Sequence, residues 1–227
     1  MRTLRAEPQV RQARNVIRHW LMSYSIEQIK QARQAILRNS RDLLRDAELL
    51  FENDRFPRAY VLAHLAAEEV AKLPMLVRAG LELAMGRDVD WRKLNRRLRD
   101  HGEKIDGIHT LWYFQEEVRL DDSDLERYRQ RLRGTKAMLA AKNVGLYADL
   151  VDGRFVTPVE MVDREMAAGM IRWSTRAVRF FEDAEERVGD ELTGRGAGLE
   201  LTGVLFEVME ELAERDVEAL EGADQEQ

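Results

Sequence analysis

Residues 57–72 read PRAYVLAHLAAEEVAK, which is the pattern of an amphipathic helix. Pro57 suits the first turn of a helix, because the N–H that proline lacks would have no partner there. The apolar residues recur at helical spacing and make one face: Leu62, Leu65 and Ala66, then Leu73 and Leu76. Glu69 falls in the middle of that face, with Lys72 one turn further on. The stretch therefore predicts a helix whose buried side is interrupted by charge.

A second set of polar residues lies on the other side of the same helix. His64, Glu68 and Lys72 follow one another at four-residue spacing, so they form a column along it. This column is opposite the leucine face. We therefore expect it on the protein surface.

Helix signals on both sides of this stretch predict an all-α protein. A short helix is expected over residues 8–20, and longer ones over residues 25–53, 57–86, 88–118 and 121–146. Ser25 and Gln28 form a capping box, and Pro74 predicts a kink. Asp88 or Asp90 caps the third long helix, and residues 121–123 cap the fourth. Long helices with short connections imply an antiparallel bundle.

The clearly non-helical piece is YADLVDGRFVTP at residues 147–158. Asp152-Gly153 predicts a turn between two short β-prone runs, and so a small hairpin at about 147–157. The TPVE box at residues 157–160 then opens a helix to about Val188. We expect an N-terminal extension (1–22), a bundle (23–190), and a flexible linker with an added acidic C-terminal helix (191–227).

The net charge of −6 hides an uneven distribution. Residues 181–227 contain 16 acidic and three basic side chains, so the preceding 180 residues carry +7. Such a body is compatible with a nucleic-acid partner, whereas the acidic tail is not. Of the 36 basic residues 30 are arginine, which suits bidentate contacts to phosphate but is equally a common compositional bias.

Composition and hydropathy point to the cytoplasm. The chain has no cysteine, which excludes disulfides and thiolate metal sites and fits a reducing compartment. No segment approaches the roughly 18 apolar residues that a membrane span needs, and the basic N-terminus lacks the apolar core of a signal peptide. Four scattered histidines offer no metal cluster, so no metal or other cofactor and no membrane partner are expected.

Polar residues also interrupt the apolar faces of the later helices. His101 stands in the middle of a stripe at helical spacing, formed by Trp91, Leu94, Leu98, Ile105, Ile108 and Trp112. Arg97 and Lys104 share its side of the helix. Lys142 lies on the stripe of the fourth helix. Three helices thus point charged or polar groups inward, either as a network that fixes helix packing or as an active site.

Three motifs carry a family resemblance. They are residues 57–72, with the spacing A-x3-A-x4-EE-x2-K; residues 101–104, HGEK; and residues 142–149, KNVGLYAD, followed by Thr157-Pro158. In this order the chain resembles the AbiV-type abortive-infection proteins, a branch of the HEPN superfamily of helical bundles, from about Ser25 to Glu185. Ala148 departs from the pattern, since a β-branched residue is more usual there.

The resemblance implies a bacterial antiphage protein that blocks phage multiplication by interfering with RNA or translation. HEPN relatives are often homodimeric, metal-independent ribonucleases with an Arg-x4–6-His motif at the dimer interface. In that scheme the histidine acts as acid and base on the 2′-hydroxyl and the leaving oxygen, and the arginine stabilises the charged phosphorane.

Three of the four histidines have an arginine at this spacing, as an arginine-rich chain produces by chance: Arg14/His19, Arg58/His64 and Arg96/His101. The last pair alone coincides with the family motif. Residues five apart in a helix point about 140° apart, so Arg97 is better placed than Arg96 unless the helix loosens at Gly102. We keep both. The predicted catalytic group is His101, Arg96 or Arg97, Glu69 and Lys104.

The resemblance also indicates substrate-binding residues, namely Lys72, Lys142, Tyr147 and Asp149. Tyr147 would donate to phosphate, and Asp149 would orient His101 or Lys142. Equally, Tyr147 plugs the end of the bundle and Asp149 caps a turn. Residues 92–104 and 126–142 are basic stretches that fit an RNA backbone.

Two hypotheses of function follow. The first is a HEPN ribonuclease that acts on RNA in infected cells as a homodimer. The second is a non-catalytic HEPN toxin or binding module, which blocks translation or senses a phage protein that activates it. In the second hypothesis the inward polar residues hold the helices together.

Overall fold

The computed structural model describes residues 23–102, 104–108, 134–151 and 153–188. The named helices are α1 (Ile26–Glu52), α2 (Phe56–Val70), α3 (Leu73–Ala84), α4 (Trp91–Arg97), α5 (Pro158–Met161) and α6 (Arg164–Val188). Residues 101–102, 104–108 and 134–144 are also helical. Strands β1 (Asp149–Val151) and β2 (Arg154–Val156) form a small antiparallel pair. The predicted all-α class is confirmed.

Helix α2 is the centre of the bundle and packs against both α1 and α6. Its small residues are completely buried: Ala59, Ala63, Ala66 and Ala67. Small side chains let neighbouring helices approach closely, so α2 is covered on several sides rather than on one stripe. This central position determines the environment of every polar side chain that α2 carries.

Ion pairs join α1 to α6. The fully buried guanidinium of Arg33 donates two hydrogen bonds of 3.1 Å to the carboxylate of Glu185. Further along α1, Arg41 pairs with Glu182, which comes before Glu185 in α6. The first partner of each pair rises in number while the second falls, so the two helices are antiparallel.

The local signals at helix starts behave as predicted. Ser25 and Gln28 form the capping box of α1, with Gln28 N–H donating to Ser25 Oγ at 3.2 Å. The chain turns at Asp54, which has a positive φ of 56°. The hairpin turns at Gly153, which has a φ of 81°. The TPVE box is also present, at the start of α5.

Three of the helices that the sequence predicts as continuous are interrupted in the structure. α2 ends at Val70 and α3 begins at Leu73, so Pro74 starts a new helix instead of kinking an old one. Asp90 caps α4 as expected, but α4 ends at Arg97, and helix resumes at residue 101. The helix predicted from residue 157 divides into α5 and α6, since Val162 is extended and buries its side chain in the core.

Several predictions lie outside the described residues. They are the helix at 8–20, the cap at 121–123, Trp112 in the third stripe, and the acidic C-terminal helix. The three-part domain division also stays a prediction. Within the described part of the chain, no helix is long and apolar enough to cross a membrane.

A glycine at the end of the helical residues 134–144 sets a close approach to α2. A Cβ added at Gly145 would lie 2.8 Å from Val61 Cγ2 and 3.1 Å from the Pro57 carbonyl oxygen. Gly145→Ala should therefore lower the free energy of unfolding by about 1–3 kcal/mol. Urea unfolding measures this change.

Gly107→Ala is the matched control, because a Cβ there meets no atom within 4 Å. It should be neutral or stabilise by up to about 1 kcal/mol, since alanine favours helix over glycine. Equal effects at the two glycines would contradict the close packing at Gly145.

Candidate functional site

The carboxylate of Glu68 is the centre of the described polar cluster. Its Oε1 accepts from His64 Nε2 at 3.0 Å and from Lys142 Nζ at 2.8 Å. Its Oε2 lies 2.5 Å from His101 Nδ1 and 3.4 Å from Lys104 Nζ. A carboxylate has about four acceptor sites. Glu68 is therefore saturated by His64 on α2 itself, by His101 and Lys104 after α4, and by Lys142 from the helical residues 134–144.

The prediction that His64 and Glu68 lie on a surface column is wrong. His64 is completely buried, and the Glu68 side chain is only 3% exposed. The reason is the central position of α2, whose second side is covered by residues 101–102, 104–108 and 134–144. A buried charge is tolerated only when it is paired and hydrogen-bonded, and the four donors meet that requirement.

Glu69, which the apolar face singled out, lies outside this cluster. It pairs with Lys72, and both side chains are 22% exposed. Neighbouring helix residues point about 100° apart, so only one member of the Glu-Glu pair can face the centre. The signal that could have selected Glu68 is its spacing of four from His64, which gives the buried carboxylate one donor on its own helix.

His101 connects the buried cluster to the solvent. Its side chain is 55% exposed although its Nδ1 is bound to Glu68. The break after α4 places it at the start of a new helical stretch, where side chains are less covered by the preceding turn. An Nδ1–H bond to a carboxylate leaves Nε2 as the bare nitrogen of a neutral imidazole. This is the arrangement of a histidine that can accept a proton from a ligand.

The electrostatics of the cluster favour an ionised Glu68. Burial alone would raise the pKa of Glu68, but the hydrogen bonds from His64, Lys142 and His101, with the charge of Lys104, hold it well below its ordinary value. Burial lowers the pKa of Lys104, and the Glu68 charge opposes that effect only in part. The cluster thus holds one carboxylate between two ammonium groups.

The other predicted site residues lie at different positions. Arg96 is exposed and Arg97 is half-buried at the end of α4, and neither is among the donors to Glu68. Tyr147 is 69% exposed, so it does not plug the bundle. The Asp149 carboxylate accepts from the N–H of Leu150 at 2.7 Å. Of the predicted residues, the structure thus brings together His101, Lys104 and Lys142.

Among the described side chains, no group of three or more His, Asp or Glu is arranged to hold a metal ion. The four groups around Glu68 all donate hydrogen bonds to its carboxylate. The cluster is therefore a hydrogen-bonded network of titratable groups.

The two adjacent glutamates allow a matched test of the cluster. Glu68→Gln leaves two buried ammonium groups without their carboxylate, so it should lower the free energy of unfolding by about 3–5 kcal/mol. Glu69→Gln breaks only a partly exposed pair and should cost about 1 kcal/mol or less. Urea unfolding of both variants checks this. Similar losses for the two variants would contradict a special role for Glu68.

The lowered pKa of Glu68 also makes stability depend on pH. The unfolded chain binds a proton at the ordinary carboxyl pKa of 4.5, and the folded state binds it only at lower pH. Stability is therefore present above that value and is lost as pH falls from about 5. The unfolding free energies of wild type and Glu68→Gln should converge as the pH is lowered. A constant difference down to about pH 3 would contradict this.

The chain matches the model of a known protein family. The family model for AbiV, a HEPN family, matches residues 28–179, about two thirds of the chain. No curated protein and no solved structure matches significantly. The matched range contains Glu68 and all four of its donors. The chain therefore belongs to the AbiV family of HEPN proteins, and its role is in abortive infection, a defence of bacteria against phage.

Proposed function

We propose that this protein is a metal-independent endoribonuclease that acts on RNA in infected cells, with His101 as its acid–base catalyst. The observation that supports this most is the pair of facts about His101: Nδ1 lies 2.5 Å from Glu68 Oε2, and the side chain is 55% exposed. Glu68 would replace Glu69 in the predicted catalytic group and would orient His101, the role that the resemblance suggested for Asp149. A histidine held this way by a carboxylate is a recurring acid–base device.

The proposed reaction is an intramolecular transesterification of RNA. Nε2 of His101 takes the proton from a ribose 2′-hydroxyl, and the 2′-oxygen attacks the adjacent phosphorus. The bond from phosphorus to the 5′-oxygen breaks, and that oxygen receives a proton from the imidazolium. The products are a 2′,3′-cyclic phosphate and a 5′-hydroxyl, and His101 returns to its neutral form.

A stabiliser for the charge on phosphorus is the second requirement of this reaction. Lys104 and Lys142 are buried and paired with Glu68. They are therefore better placed to balance the charge of Glu68 than to bind RNA. Arg96 and Arg97 end the helix just before His101 and stay alternatives for the contact to phosphate. The exposed basic residues Arg92, Arg96 and Arg99 would add affinity for the backbone.

We further propose a homodimer in which the exposed His101 of each copy faces a shared cleft. This follows the arrangement that the HEPN resemblance implies. The exposure of His101 at the surface of one chain supports it. Size-exclusion chromatography with light scattering would give the mass directly, and a monomer at micromolar concentration would contradict it.

The experiment is incubation of the purified protein with total RNA in EDTA. Wild type should cleave, and His101→Ala should be slower by about 10²–10⁴-fold, the usual contribution of acid–base catalysis. Arg38→Ala, at an exposed position of α1, is the control for surface charge and should cleave like wild type. Cleavage by His101→Ala at the wild-type rate, or cleavage only with added Mg²⁺, would contradict the proposal.

A non-catalytic role is the alternative, and one observation favours it. A carboxylate saturated by four donors is also what a purely structural network would need to fix helix packing. In that case the protein would block translation, or sense a phage protein, through its surface. Intact RNA together with full toxicity of the His101→Ala strain would support this alternative.

A further inference from the structure

His64 is the one histidine of the cluster that has no access to solvent. It is completely buried, and its Nε2 lies 3.0 Å from Glu68 Oε1. Its Nδ1 is buried and has no hydrogen-bond partner among the residues that the structure describes. The ring stacks on Tyr60, with centroids 6.3 Å apart and planes at 27°. The imidazole is thus held on one face by an aromatic ring and at one nitrogen by the carboxylate.

The unpartnered nitrogen determines the tautomer of this ring. A proton on Nδ1 would bury an N–H without an acceptor, which costs more than a bare nitrogen without a donor. The proton of neutral His64 is therefore on Nε2, where it is donated to Glu68. A second proton would have to occupy Nδ1, and the described surroundings offer it no acceptor.

The four contacts divide between the two oxygens of Glu68. His64 and Lys142 hold Oε1, while His101 and Lys104 share Oε2. Rotation of the carboxylate would move both oxygens at once. The ammonium group of Lys142 is carried on a flexible side chain and can follow such a rotation. The imidazole of His64 is stacked on Tyr60 and cannot follow it. His64 is the rigid donor that fixes the plane of the carboxylate.

We propose that His64 is a positioning residue, which acts through Glu68 to hold His101 in the tautomer with its proton on Nδ1 and Nε2 bare. The inference rests on the proposed function for the reaction that His101 would carry out. The tautomer itself is a property of the folded chain and can be measured without any RNA.

The charged and titratable groups that surround this contact come from three places in the fold. Helix α2 carries Tyr60, His64, Glu68 and Glu69, and Lys72 follows it directly. The short helical segment after α4 carries His101 and Lys104. Lys142 lies in the helical residues 134–144. Burial raises the pKa of Tyr60 to about 12, so its hydroxyl stays protonated and donates to the Met138 carbonyl at 3.4 Å. His64 therefore has no competing anion beside it among these groups.

The test uses ¹⁵N NMR of histidine-labelled protein at neutral pH, where ring nitrogen shifts distinguish the two tautomers. In wild type, His64 should have its proton on Nε2 and His101 on Nδ1. In His64→Phe, which retains the aromatic stack but removes the donor, the Nδ1–H form of His101 should lose population to the Nε2–H form. RNA cleavage should fall about tenfold or more.

Two further variants separate positioning from packing. His64→Gln places an N–H the same number of bonds from the backbone as Nε2, so it should restore most of the His101 tautomer and of the cleavage. Tyr60→Phe keeps the ring that stacks on His64 and removes only the hydroxyl that donates to the Met138 carbonyl, so it should leave both unchanged. Circular dichroism confirms the folded state of each variant.

Three results would overturn the inference: a proton on Nδ1 of His64 in wild type, an unchanged His101 tautomer in folded His64→Phe, or failure of folded His64→Gln to restore it. The wild-type spectrum decides the first point even when a variant does not fold. A tautomer shift in His64→Phe with no RNA cleavage by wild type would reject the proposed function and leave the positioning role of His64 intact.

Discussion

A buried carboxylate must be surrounded by donors, and this requirement organises the protein around Glu68. The side chain is 3% exposed in the most covered helix of the bundle, a position that would be unstable for a lone charge. Its four donors come from three stretches that are far apart in sequence. Forming this centre therefore requires α2, the residues His101 and Lys104 after α4, and residues 134–144 to be in place together.

The same requirement links stability to chemistry. The groups that neutralise Glu68 include His101, the member of the cluster that reaches solvent. A reactive histidine held by the core needs little reorganisation when a substrate arrives, which is what preorganised sites provide. In the proposed function, the atoms that stabilise the fold around Glu68 are also the atoms of the catalytic site. They differ only in whether the bare nitrogen of His101 meets RNA.

Local signals in the sequence predicted the starts of α1, α2, α4 and α5, the hairpin and the all-α class correctly, because capping boxes and turn residues act within a few positions. Predictions that depended on what packs against α2 were less successful. His64 and Glu68 looked exposed because a single apolar face was assumed, whereas α2 is covered on its second side as well. The breaks after Val70, Arg97 and Met161 were missed for a related reason. Apolar spacing continues across each break, so periodicity alone does not reveal it.

The measurement that tests the account most directly is a double-mutant cycle on RNA cleavage with Glu68→Gln, His101→Ala and the double variant. It is run at a temperature where circular dichroism shows each to be folded. If Glu68 acts through His101, Glu68→Gln slows cleavage and the double variant is no slower than His101→Ala alone. Rate losses that multiply in the double variant would show that the two residues act independently and would contradict the account.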